Sequence, residues 1–198
     1  LSFACRVRLD HVRQGHFRRF SQETPRSQWG TKFVQHREQQ VADGGVELKG
    51  LVGSSNEANV VVEGVAAAAL LDTGSSVSTV SQQFYESHLQ HIELQQIDRL
   101  LRVECANGEA LPYLGYIQAD IAAPAIGLEV VQPCLMLVVP HTPYAESTPI
   151  LLGTNFLSAL LGRCTTQFGE RVIQRITPQA WYLALRCISL RERHLAKQ

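Results

Sequence analysis

No apolar run in this chain is longer than seven residues, Val65 to Leu71, and turn-forming residues break up every longer stretch between residues 46 and 162. A membrane-spanning helix needs roughly 20 consecutive apolar residues, so the chain is not expected to cross a bilayer. Short apolar segments bounded by Gly, Pro and Asn are what a sheet-rich core requires. The expected fold is mainly β: a closed β-sandwich or barrel with a short C-terminal core helix and basic helical or disordered tails.

The segments divide as follows. Val46–Val52 alternates loosely and reads as a strand. Asn59–Val62 and Val65–Leu71 flank Glu63-Gly64, a hairpin signal. The alanines of Val65–Leu71 also suit a helix, but its short length and the glycines at 64 and 74 favour a strand. Ser81 is placed to cap a helix over Gln82–Leu89. Arg99–Glu104 and Ala110–Ala122 read as strands around Ala106-Asn107-Gly108-Glu109, where Asn-Gly is a strong hairpin signal. Leu128–Val139 is a strand candidate containing Pro133, Pro140–Pro149 a loop, Ile150–Leu152 a short buried strand and Asn155–Leu161 a short helix. Arg163–Phe168 is a candidate terminal strand. Pro178–Lys197 can form a helix with Trp181, Leu185, Ile188 and Leu195 near one face.

Charge marks the ends. The chain carries 18 Lys+Arg and 18 Asp+Glu, with both flanks basic and the centre acidic. Residues 1–45 are rich in Gln, Arg, Ser and His and read as a basic flexible segment; 46–168 read as the folded domain; 169–198 read as a basic C-terminal segment or linker. The basic ends are solvated linkers or, as a weaker possibility, RNA contacts. The five cysteines are scattered and odd in number, which fits a reducing, intracellular compartment better than a disulfide framework. Without an initiator Met or a signal peptide, the chain reads as a fragment, a processed product or an excised domain.

The chemistry concentrates in Ala69-Leu70-Leu71-Asp72-Thr73-Gly74-Ser75-Ser76. An ionisable Asp ends an apolar strand, and a hydroxyl residue and a Gly follow. Burying a carboxylate is costly unless hydrogen bonds or a shared proton compensate it. Gly74 leaves room for backbone amides and for a substrate. Asp-Thr-Gly arises by accident in about 4% of chains this long, in which case Asp72 would be a surface residue capping a turn. A second apolar strand breaking at Gly, in Pro149-Ile150-Leu151-Leu152-Gly153-Thr154-Asn155-Phe156-Leu157, argues against accident.

These elements, with the Asn107-Gly108 hairpin between them, resemble the retropepsins, the single-lobe aspartic proteases of retroviruses and retroelements. The resemblance covers about residues 46–162. Leu-Leu-Asp-Thr-Gly-Ser is similar to the family's catalytic loop, the Asn-Gly hairpin to its flap, and Ile-Leu-Leu-Gly-Thr-Asn-Phe-Leu to its closing strand and helix. Within the family the chain looks closest to the protease of gypsy-type LTR retrotransposon Gag-Pol polyproteins. Many viral members carry an Asp–Arg ion pair at the positions of Ser76 and Thr154. Both partners are absent here, which leaves no unpaired charge.

The resemblance implies an aspartic endopeptidase acting as a homodimer, with a Gag-Pol-like polypeptide substrate, in the cytoplasm or a virus-like particle. Two Asp72 carboxylates, one per subunit, would share a proton and activate a water. Asp72, Thr73 and Gly74 would be catalytic; Ser75, Ser76, Ala106, Asn107, Gly108 and Glu109 would bind substrate. No metal or cofactor is implied. A fainter likeness to a Gag zinc knuckle falls on Arg8, His11, His16 and Ser21, but its three Cys positions are lost, and a structural zinc site needs four ligands. The alternative is an inactive, retroelement-derived module for dimerisation or peptide binding, with basic tails that touch RNA. Cys105, next to the flap, reads as a small buried hydrophobe.

Overall fold

The computed structural model describes residues 6–9, 55–97, 101–123, 130–177 and 179–197. The expected strand Val46–Val52 and the knuckle-like residues His11, His16 and Ser21 lie outside them. Strand β1 (Arg6–Leu9) is the only described part of the first 54 residues.

Six strands form a closed barrel: β2 (Glu57–Val62), β3 (Val65–Leu71), β4 (Ser78–Ser81), β6 (Gly115–Ala122), β7 (Val131–Val139) and β8 (Ile150–Leu152), in the order β2-β3-β8-β4-β7-β6. Strand β5 (Leu101–Glu104) stands apart and pairs with β1. The mainly β, closed-barrel expectation thus holds. The β2–β3 hairpin turns at Glu63-Gly64, both at positive φ, as a tight two-residue connection requires. Parallel pairing of β3 with β8 and of β4 with β7 is non-local and closes the barrel.

Alternation along β6 puts Ile117, Ala119 and Ile121 inside and Gln118 and Asp120 outside. Pro133 is tolerated in β7 for a specific reason. Its register partner Asp120 directs its backbone N–H and C=O to Glu63, so the missing donor faces away from β6. On that outer edge of β7, Asn155 and Arg163 donate to the carbonyls of Leu135 and Val131.

The helices differ more from expectation. Ser81 caps α1 (Gln82–Phe84), accepting from the Phe84 N–H at 3.2 Å, and the turn widens into a π-type segment over Tyr85–Leu89. Helix α2 spans Thr154–Phe168, so the short helix over Asn155–Leu161 continues through Gly162 and absorbs the candidate strand Arg163–Phe168. Phe156, Leu157, Leu160, Leu161 and Cys164 recur at helical spacing and keep the helix on the core beyond Gly162. Strand β6 starts at Gly115 rather than Ala110, and a 3-10 turn at Pro143–Glu146 lies within the expected loop.

Helix α3 (Gln179–Leu195) packs against α2, β2 and β3. Its Trp181, Ala184, Leu185 and Ile188 join the barrel's own buried cluster. Leu195, expected on that face, is 61% exposed because the helix has by then run past the core. A second, smaller cluster gathers Val103 and Leu137 with Val77, Leu101, Leu111 and Tyr113, beneath the β5 hairpin. Among the described residues, no helix is long and apolar enough to cross a membrane.

Candidate active site

Asp72 follows directly on β3, and only 5% of it is exposed. That excludes the surface-cap explanation of Asp-Thr-Gly. Its backbone N–H donates to the Leu152 carbonyl at 2.9 Å, extending the β3–β8 ladder by one bond. Its Oδ1 accepts the Gly74 N–H at 2.8 Å, an Asx-type turn that aims the carboxylate back over its own loop. The Ser75 N–H closes the turn onto the Asp72 carbonyl at 3.2 Å.

Ser75 is buried, and its hydroxyl donates to the Val77 carbonyl at 2.8 Å and accepts the Val77 N–H at 3.3 Å. It braces the loop. Thr73 is half-buried, while Gly74 and Ser76 are exposed. The loop is held from behind by the segment between β8 and α2. Thr154 N–H donates to the Ser75 carbonyl at 2.8 Å. A Cβ on Gly153 would lie 2.3 Å from the Val77 oxygen and 3.0 Å from the Ser75 oxygen, so only glycine fits there. Ser78 completes the support: its hydroxyl donates to Asn155 Oδ1 at 2.8 Å and accepts the Gly153 N–H at 3.0 Å. Asn56 adds a bond from Nδ2 to the Leu71 carbonyl at 3.0 Å.

The second element is the hairpin from β5 to residue 111. Gly108 has φ +82 while Asn107 does not share it, so the tip is a turn over Cys105 to Gly108 closed by a left-handed glycine, with Gly108 N–H donating to the Cys105 carbonyl at 2.9 Å. Asn107 and Glu109 bond each other, and residues 106–109 are all exposed. Cys105 is half-buried, where sequence pointed to a buried hydrophobe, because it sits at the neck of an exposed turn. The hairpin's base packs on Val77, five residues beyond Asp72. A cavity of about 350 Å³ opens beside the end of the loop, with Ser76, Val77, Leu101, Tyr116, Leu135 and Asn155 in its wall; Asp72 itself does not line it.

The sequence singled out the Asp72 loop, Ser76 of the cavity wall included, and the hairpin tip, but not Asn56, Ser78 or the rest of that wall. Ser78 and Asn155 are 77 residues apart, and nothing local in either marks the pairing. No group of side chains suited to a metal occurs among the described residues.

Residues 58–156, half of the chain, match the family model described as aspartyl protease, and this chain belongs to that family. No curated protein matches the sequence. Among solved structures, the retroviral protease-like domain of Ddi1 from Leishmania major is similar at 13% identity, over 57% of this chain and 77% of that one, with a TM-score of 0.38. The EIAV protease complexed with the inhibitor HBY-793 is similar at 16% identity, over 55% and 86%, with a TM-score of 0.36. The protease of simian foamy virus is similar at 13% identity, over 52% and 91%, with a TM-score of 0.31.

Proposed function

We propose that the chain is an aspartic endopeptidase whose active site is completed by a second copy of itself. The observation that carries this reading is the burial of Asp72 in a loop tied down on both sides, at the end of a barrel strand. One chain supplies one such loop. Among the described residues no other Asp follows an apolar strand into a glycine turn. A two-fold axis between two Asp72 loops would set identical carboxylates face to face.

Such a pair holds one proton between its members, because like charges that close do not both ionise. The ionised carboxylate removes a proton from a bound water as that water attacks the peptide carbonyl carbon. The protonated carboxylate donates to the carbonyl oxygen. The tetrahedral intermediate collapses as the C–N bond breaks: the carboxylate that took the water's proton passes it to the amine nitrogen, and the other takes back a proton from a hydroxyl of the intermediate, which restores the singly protonated pair. No metal or cofactor takes part. Thr73 would grip the opposite loop, Gly74 would admit substrate backbone and Ser76 would line its path, whereas Ser75, expected from the sequence to touch substrate, is buried and would instead hold the loop in shape through Val77. Ala106 to Glu109 would close over an extended peptide and exclude water. On the family resemblance, the substrate is a Gag-Pol-like retroelement polyprotein, cleaved in the cytoplasm or in a virus-like particle. The basic ends would be linkers or weak RNA contacts.

The test is cleavage of a peptide library across about pH 4 to 7 by the wild type and by Asp72→Asn. Asn is nearly isosteric, so the variant should keep its thermal midpoint and lose at least ~1,000-fold in kcat, about 4 kcal/mol of barrier. Specific activity should also fall on dilution, as a shared site requires. Wild-type turnover in Asp72→Asn would refute the mechanism. Activity that stays constant on dilution while sedimentation shows only monomers would refute the shared site.

A further inference from the structure

Strand β1 is outside the barrel, and its partner is the hairpin whose base packs on Val77, five residues beyond Asp72. The two strands run antiparallel, with Arg6 opposite Glu104, Val7 opposite Val103, Arg8 opposite Arg102 and Leu9 opposite Leu101. The other edge of β5 is already taken by the hairpin's return arm. Leu111 N–H donates to the Val103 carbonyl at 2.8 Å, and Cys105 N–H donates to the Glu109 carbonyl at 2.8 Å. The amide groups of a strand alternate between its two edges. Arg102 and Glu104 therefore direct theirs toward β1, and their ladder partners are Arg8 and Arg6.

The first residue of β5 reaches the cavity beside the candidate catalytic loop. Leu101, opposite Leu9, lies in the wall of the same cavity as Ser76 and Val77, which follow Asp72 in the catalytic loop. An open strand edge offers a row of N–H and C=O groups to any extended peptide, largely independent of its sequence. A protease acting on many sites of a polyprotein needs that kind of recognition.

We propose that the outer edge of β5 is the docking edge for the substrate polypeptide, and that residues 6–9 occupy it as a built-in competitor. The proposal rests on the reading of the site as peptide-cleaving. A segment tethered to its own site acts at an effective concentration in the millimolar range. If the free segment bound with a dissociation constant of about 0.1 mM, the edge would be filled in roughly nine molecules of ten. The apparent KM for an outside peptide would then rise about tenfold. Cleavage within residues 10–54 would release the strand, so maturation of the chain would raise its affinity for other substrates.

The test uses the full chain. Arg6→Pro/Arg8→Pro removes the two N–H groups directed at β5, whereas Val7→Pro/Leu9→Pro removes N–H groups that point away and serves as the control. Arg6→Gln/Arg8→Gln changes the same positions without touching the backbone. Each is measured for KM and kcat. Each is also measured, in an Asp72→Asn background, for binding of a fluorescein-labelled peptide copying residues 3–12. The ladder-breaking double should lower KM about tenfold with kcat little changed, and bind the labelled peptide about tenfold more tightly than its parent. The control and the glutamine double should behave as wild type. A brace for the hairpin, by contrast, would lower kcat when broken. Unchanged peptide binding in the ladder-breaking variant, or an equal effect in the glutamine double, overturns the proposal. Tighter peptide binding without cleavage in any variant would uphold the docking edge and reject the endopeptidase.

Discussion

The Asp72 loop and the Gly108 hairpin are both tight turns at strand ends, yet they are built in opposite ways. Asp72 and Ser75 of the loop are buried, and the loop is held by partners about 80 residues away: Leu152, Gly153, Thr154 and Asn155. The hairpin tip is exposed and bonded to itself, through Cys105, Asn107, Gly108 and Glu109. A carboxylate that must keep one geometry needs support that local turns cannot supply. On the proposed function the hairpin would have to open for substrate, and a segment that opens cannot be tied to the core. The two turns thus differ in the range of their contacts rather than in being tight.

The largest break in that contrast should come from Gly153→Ala. The new Cβ meets backbone oxygen and carbon of Val77 at 2.3 and 2.6 Å, which no rotamer relieves. A loss of about 3–5 kcal/mol is expected, read as a fall in the denaturant midpoint, with activity lost alongside. A near-neutral result would mean that the loop moves freely against β8.

Ser78→Ala should cost less, about 2–3 kcal/mol, because it strips partners from Asn155 Oδ1 and the Gly153 N–H at once. The double variant Ser78→Ala/Asn155→Ala should be less than additive, which a double-mutant cycle measures.

Gly108→Val places a β-branched residue at φ +82 in open space, with no atom within 4 Å of the new Cβ. About 1–2 kcal/mol of backbone strain is expected, localised to the hairpin. On the proposed function turnover should fall by more than that strain explains, since the tip would close over the substrate. A large drop in thermal midpoint with unchanged activity per folded molecule would place the hairpin in the folding core instead.

The mildest test uses a thiol in each region. Burial pushes the Cys134 thiol up from 9.0 to about 11, partly offset by its hydrogen bond with Ser78, whereas Cys105 is half-buried at the hairpin neck. Peptide mapping after brief alkylation near neutral pH should find Cys105 modified in the native protein and Cys134 modified only after unfolding. The same shift has a sign for stability. Between about pH 9 and 11 the unfolded thiol ionises while the folded one stays neutral, so stability falls as pH rises, by at most about 1.4 kcal/mol per unit. Cys134→Ala should flatten that slope.

What the amino-acid order determined alone was everything carried by a few consecutive residues. The Glu63-Gly64 and Asn107-Gly108 turns, the Ser81 cap, the end of β3 at Asp72 and the break at Gly153 were all legible, because turn, cap and strand preferences act within a residue or two. The extent of α2 was misjudged because Gly162 looks like a stop, while the apolar positions beyond it continue onto the core. Only the tertiary structure decided which strands lie side by side. The β3–β8 and β4–β7 pairings, the bond of Ser78 to Asn155, the fit of Gly153 against Val77, the seat of α3 on the barrel and the placing of β1 on β5 join residues far apart in the chain. Hydrophobic burial is non-directional and does not name its partners. The partners are chosen when the whole core closes, and that closure is what holds the Asp72 carboxylate in place.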